Sequence, residues 1–327
     1  MLEDTSLLQR FVLATFYYDL MEDDDSPIEY DNWMDLRVHQ CEWEFIGCDE
    51  QGEITELEFH PNIGLESDNG FPRQFYWLTT LQRLQLSRES DLHGTFPSQL
   101  GHLTKLTHLQ IHEVPFHGTI STELKKLTIL REFEVSDCEL NSTHEYNTLE
   151  MLLTPNNFPD LHTINIQLNN FDDPLPEIST PNENLGILYL DANRFQGTIP
   201  DSWIDNLSNV FQLGLSFNQI TGGFPPRLGL WTNLVYVYLD EVMGFEGNIP
   251  ISDADTHGLE LLTNLQLFSM NTAGLNGTLP VELSRLTELR ELRLDKNPLT
   301  GTIPTEYEAW THMEMWTMRN TGVSSNV

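Results

Sequence analysis

The stretch Leu185 to Pro200 reads L-x-x-L-x-L-x-x-N-x-F-x-G-x-I-P, and the same wording returns at Leu289 to Pro304. Looser copies start at Ile54, Leu81, Leu106, Leu130, Leu161, Val210, Leu234, Leu265 and Met313. The intervals are mostly 24 or 25 residues, with 27 at the first step and 31 after Leu130 and Leu234. Repetition at a fixed period of this size means stacked supersecondary units, each too thin to bury its own apolar strip. The pattern predicts a solenoid over 54–327 of about eleven coils, the last one incomplete, preceded by a cap over 1–53. An array has no single core to outgrow, so 327 residues with an apolar share of 39% suit it.

The Gly-x-Ile-Pro ending carries a family resemblance. Gly197 to Pro200 and Gly301 to Pro304 match it fully, and Gly94 to Pro97, Gly223 to Pro225, Gly247 to Pro250 and Gly277 to Pro280 nearly so. From about Trp33 onward the chain resembles plant-type leucine-rich repeat proteins. The resemblance implies an α/β fold: a right-handed, curved solenoid with a parallel sheet on its concave face and a helical N-terminal cap.

Apolar residues at helical spacing predict an amphipathic helix from Ser6 to Leu20, stopped by the acidic run Glu22 to Asp25 and by Pro27. Asp31-Asn32-Trp33 and the stretch Cys41 to Cys48 resemble the cap of extracellular members of the class. Spacing alone leaves Cys41 and Cys48 either bridged or as free thiols. The cap resemblance implies the bridge, and with it an extracellular or luminal compartment. Cys138 stands in the slot that Asn193, Asn218 and Asn297 fill in other copies. In the class that slot points inward and serves turn backbone, which makes Cys138 structural rather than a nucleophile. Val114 and Ala273 occupy the same slot and are expected to weaken their coils.

Two segments depart from the period, Glu139 to Asp160 and Ile251 to Asn264, and both are expected as loops or convex-side insertions. Sequons at Asn141, Asn206 and Asn276 fall outside the inward strand positions and lean towards a secretory route. The chain stops midway through the coil begun at Met313, so the native protein is expected to continue. No signal peptide and no membrane-length apolar run is visible, which fits an excised piece of a longer protein or an intracellular one.

Fifty acidic residues against 16 basic ones give a formal charge of -34, a surface that repels nucleic acid and anionic lipid. Outward strand positions map the concave face. Its early coils place His60 outward in the first copy and bring His108 and His112 near Glu132 and Glu134, a grouping that reads as exposed histidines without a metal. Residues two coils apart lie about 10 Å from one another, so the later coils gather Ile187, Tyr189, Tyr236, Tyr238 and Leu267 into one patch, edged by Asp191 and Asp240. Aromatics with polar tips suit protein recognition. No metalloprotease, nucleophile-elbow, phosphate-loop, kinase or dinucleotide motif occurs, so neither catalysis nor a cofactor is expected. The reading is a recognition module for a protein or peptide, the ectodomain of a receptor-like protein. Alternatives are a secreted inhibitor resembling the polygalacturonase-inhibiting proteins, or an intracellular scaffold. The sequence leaves the oligomeric state open.

Overall fold

Why a 24-residue period closes on itself is visible in any one coil of the computed structural model. In the coil begun at Leu81, Leu84 and Leu86 turn inward and are fully buried, while the residues between and beside them face outward. A residue in the left-handed backbone region then reverses the chain at the same place in each repeat. Arg88, Glu113, Asp137, Leu168, Ala192, Phe217, Glu241, Thr272, Lys296 and Asn320 hold it, with φ between 51° and 59°. Such a φ costs a side-chain-bearing residue about 1 kcal/mol. Stacking offsets that cost, because the N–H freed by the turn donates to the next coil, as from Arg88 to the His112 carbonyl (2.9 Å) and from Phe217 to that of Asp240 (2.7 Å).

The structure describes residues 5–20, 35, 37–59, 65, 70, 72–242, 244–245 and 247–324. The helix stop at Glu22 to Asp25 and Pro27, the Asp31 to Trp33 element, His60 and the last three residues lie outside them. The chain divides into two units. One takes in residues 1–144 with 156–170, the other residues 145–155 with 171–327.

In the first unit, helix α1 (Thr5–Leu20) lays Val12, Leu13 and Phe16 into the core, with the Phe16 ring stacked 5.0 Å from Phe59. Its buried Gln9 side chain accepts from the Ile54 N–H (3.3 Å) and donates to Glu53 (2.7 Å), fastening the helix to the start of the first repeat. Cys41 and Cys48 are joined in a disulfide. Strand Ile46–Cys48 pairs antiparallel with Ile54–Glu58 and covers that edge, which would otherwise offer a row of unpaired backbone groups. Four parallel strands follow: Arg83–Ser87, His108–His112, Glu132–Ser136 and Thr163–Asn165. Leu57, Leu84, Leu109, Phe133 and Ile164 are in register.

The second unit repeats the arrangement over Ile187–Tyr189, Gln212–Gly214, Tyr236–Tyr238, Leu267–Ser269, Glu291–Arg293 and Met315–Thr317. Its buried indoles satisfy their N–H on the preceding coil: Trp203 on the Pro176 carbonyl (2.8 Å), Trp231 on that of Leu207 (2.9 Å). Short strands Gly247–Asn248, Leu275–Thr278, Leu299–Thr302 and Gly322–Ser324 form a second, smaller parallel sheet. The two insertions fold locally. The first carries helix α2 (Thr148–Leu153), capped by Asn147; the second carries a 3-10 turn, Leu259–Leu261, after a loop tied down by buried Glu260 at Ser252 N–H (3.0 Å).

Candidate functional site

In the second unit, register pairing sets two outward rows. One runs Tyr189, Gly214, Tyr238, Ser269, Arg293, and the other Ile187, Gln212, Tyr236, Leu267, Glu291. The rows thus bring together Ile187, Tyr189, Tyr236, Tyr238 and Leu267, the residues that the repeat pattern marks out. Gly214 has no room for a methyl group, since a Cβ there would lie 2.0 Å from Asp191 Oδ2 and 2.8 Å from a Tyr189 ring carbon, so those two side chains close over it. The Tyr189 hydroxyl donates to Gln212 Oε1, and Tyr236 donates to Gln266 Oε1 at 3.2 Å. Burial pushes the Tyr189 phenol up to about 12 and raises that of Tyr238, so both remain protonated donors at neutral pH.

Two expectations need correcting. Leu267 is only 7% exposed, lying in register between the longer side chains of Tyr236 and Glu291, so it is floor rather than contact surface. Asp191 and Asp240 are not a free acidic rim. Asp191 Oδ1 accepts from Ser216 N–H (2.8 Å), Ser216 Oγ from Asp240 N–H (3.1 Å), and Asp240 Oδ1 from Asn271 N–H (2.7 Å). Asn271 Oδ1 then accepts from Asp295 N–H (2.7 Å), and Asp295 from Arg319 N–H (2.6 Å). These side chains form a ladder that locks each coil to the next. Burial raises the Asp191 carboxyl above the usual carboxylate range, partly offset by its bonds to Ser216. Position alone hid this ladder; its signal was the recurrence of a short polar residue two positions beyond each strand.

The open sheet face of the first unit is of another character. His108 Nε2 lies 3.5 Å from Glu132, His112 Nε2 lies 3.5 Å from Glu134, and Gln110 donates to both carboxylates (3.2 and 3.5 Å). Thr107 Oγ1 is 2.8 Å from His108 Nδ1, and Ser136 Oγ is 2.7 Å from His112 Nδ1. Burial lowers both imidazoles below their ordinary value despite the facing carboxylates, so the rings are neutral at pH 7 and their approaches to Glu132 and Glu134 are not ion pairs there. Among the described residues no group of three or more His, Cys, Asp or Glu is placed to hold a metal ion.

The inward slot behaves as its chemistry requires. Asn193, Asn218 and Asn297 are buried, each accepting a backbone N–H of the preceding coil and donating to carbonyls of its own. Asn169 belongs to the same series, and Glu89 fills the slot in the first unit, accepting from Leu65 N–H at 2.9 Å. Cys138 is buried with its thiol pushed up to about 12, while Val114, Val242 and Ala273 leave the slot apolar. Of the three sequons, Asn141 and Asn276 are exposed. Asn206 ends helix α3 (Asp201–Asn206), and its amide nitrogen donates to the carbonyls of Ile178 (2.7 Å) and Ser202 (3.1 Å).

The family model described as Leucine Rich Repeat matches residues 288–310. Receptor-like protein 35 of Arabidopsis thaliana is 30% identical over 155 residues, 42% of this chain and 16% of its own length. Receptor-like protein EIX1 of Solanum lycopersicum is 27% identical over 304 residues, 84% of this chain and 26% of its own. The chain therefore spans about a quarter or less of these relatives. Among solved structures, the plant peptide hormone receptor RGFR1 in complex with RGF2 superposes with a TM-score of 0.62 at 28% identity, over 79% of this chain and 42% of that one. A plant ice-binding protein superposes with a TM-score of 0.72 at 20% identity, over 99% of this chain and 100% of the other. The repeats are leucine-rich repeats of the plant type. No described helix is long and apolar enough to cross a membrane.

Proposed function

We propose that this chain of plant-type leucine-rich repeats is a non-enzymatic recognition module, the extracellular part of a receptor-like protein. It would hold a peptide or protein segment against the sheet face of its second unit. The observation that carries the reading is the pair Tyr236 and Tyr238, both half-buried on the outward side of one strand, with Tyr238 in register with Gly214. Such rings offer apolar area at small entropic cost, and a peptide laid across them desolvates their phenols. Receptor-like relatives and a peptide-bound receptor ectodomain of the same repeat class support it. In a crosslinking capture of secreted peptides, Tyr236→Ala/Tyr238→Ala is expected to lose the ligand that the parent retains. Equal capture by both would reject this face. Inhibition assays against polygalacturonase test the secreted-inhibitor alternative.

A second reading is favoured by the smaller sheet. Asn248, Asn276, Thr278, Thr300, Thr302 and Ser324 are exposed there, and in a chain of charge -34 no described residue of those strands is charged. Hydroxyls and amides repeating at the strand spacing of about 4.8 Å could order water as a lattice. Ice-recrystallisation inhibition that Thr278→Asp/Thr302→Asp abolishes would establish this reading. A glycan on Asn276 would sit in the middle of that sheet and exclude it.

A further inference from the structure

The first unit carries a surface whose charge is out of balance with its own contents. Of the outward residues on the described strands of this face, Glu56, Glu58, Glu132 and Glu134 are acidic and Arg83, 3.7 Å from Glu56, is basic; Arg131, just before the strand of Glu132, brings a second guanidinium near His108. His108 and His112 add no charge at neutral pH. The strands run from this face directly into a cleft of about 450 Å³. Arg88 follows Ser87, Glu113 follows His112, and Asp137 follows Ser136, and all three line it. Arg88 is held by Glu113 at 3.0 Å, while Asp137 and Glu139 line the cleft with Ser90 and His93 and, among the described residues, neither is in ion-pair contact with a basic group. Left-handed backbone at Arg88, Glu113 and Asp137, each N–H bonded to the following coil, fixes the positions from which these side chains reach out.

We propose that this face docks an extended basic segment of a partner protein, its arginine or lysine side chains meeting Glu132 and Glu134 on the sheet and Asp137 and Glu139 in the cleft. The partner's chemistry follows from charge complementarity. Glu132 and Glu134, already held by Gln110 of the preceding coil, gain a cation at less ordering cost than an exposed pair, and, two residues apart on one strand, they are spaced by about 7 Å for alternate side chains of an extended peptide. The site is separate from the tyrosine face and does not rest on it.

Histidines make the docking sensitive to acid. His108 faces Glu132, Glu56, Arg83 and Arg131; His112 faces Glu134, Glu113 and Ser136. On protonation each ring becomes the cation that its glutamate holds, displacing the guest.

The test is calorimetric titration of the full chain with the blocked peptide acetyl-Arg-Gly-Arg-Gly-Arg-amide, in 0.15 M salt at pH 7.5 and 5.0. One peptide per chain is expected at pH 7.5. Glu132→Gln/Glu134→Gln and Asp137→Asn/Glu139→Gln should each weaken it at least tenfold. Glu306→Gln/Glu308→Gln, two exposed carboxylates of the second unit, should change it less than twofold. Equal weakening by all three pairs, or several peptides per chain, would mean diffuse attraction to an acidic surface and overturn the proposal. The parent should lose affinity at pH 5.0, and His108→Gln/His112→Gln should not; the same loss in both overturns the role of the histidines. Tyr236→Ala/Tyr238→Ala should leave this binding intact, so failure here is distinct from failure of the tyrosine face. Circular dichroism of each variant checks that it is folded.

Discussion

Asn218 shows how much of this fold hangs on single side chains. Its Oδ1 accepts from the Phe195 N–H (3.0 Å), and its amide donates to the carbonyls of Leu190, Leu215 and Ser216 (3.0 to 3.2 Å), all away from solvent. Truncation leaves a buried donor and several acceptors unmet, and each unmet group costs more than a made bond contributes. Asn218→Ala is therefore expected to lose about 2–4 kcal/mol, read as a lower urea midpoint with unchanged slope. Loss below about 1 kcal/mol would mean that water enters the turn and that the slot is not sealed. Ala273 sits in the same slot with its own N–H satisfied by Asn297 of the next coil (3.1 Å), so one asparagine can cover for a neighbour that lacks it. The expectation that Ala273 marks a locally weak coil has to reckon with that reach.

At the scale of an element, the strand His108–His112 makes its stability depend on pH in a direction that can be worked out. In the unfolded chain its two histidines have the ordinary value, near 6.5; in the fold, burial lowers both. Between those values the unfolded chain binds more protons than the folded one, so stability falls as pH falls. A thermal melt should thus drop from pH 7.5 to 5.0, modestly because both rings keep some exposure, and His108→Gln/His112→Gln should flatten that slope. An unchanged slope in the variant would put the titrating groups elsewhere. The repeat made this strand, its register and its outward residues legible in advance, since period 24 fixes which side chains share a face. It did not show that Leu267 lies buried between longer side chains in register, or that Asp191 and Asp240 serve the next coil's backbone. Those depend on the length of side chains in register one strand away, and no pattern along a single copy carries that. The αL residues escaped notice for a related reason: Arg88, Phe217 and Lys296 share a backbone conformation but no chemistry.

Across the whole molecule the decisive quantity is charge. Fifty carboxylates against 16 cations leave a formal -34, and several of the pairs that form, such as Arg227 with Asp205 and Arg290 with Glu314, are at exposed positions. Exposed pairs contribute about 0.2–1 kcal/mol each, whereas unpaired like charges repel at a range set by salt, about 30 Å at 0.01 M and about 8 Å at 0.15 M. At low ionic strength each carboxylate therefore feels many others across its unit, and folding, which brings them closer than in an expanded chain, is opposed. Added sodium chloride screens the attractive pairs too, but these are few and the repulsive ones many, so the balance favours stabilisation. The unfolding temperature is expected to rise by several degrees between 0.01 and 0.15 M sodium chloride and then level off, since the screening length is by then close to the spacing of neighbouring charges. A melt that stays flat or falls over that range would mean that local pairs and ladders such as the one from Asp191 to Arg319 outweigh the net field. The same field bears on partners: it raises the encounter rate with a basic ligand at low salt and repels an anionic one. Association rates that fall with salt for the arginine peptide would thus have the same origin as the rise in stability.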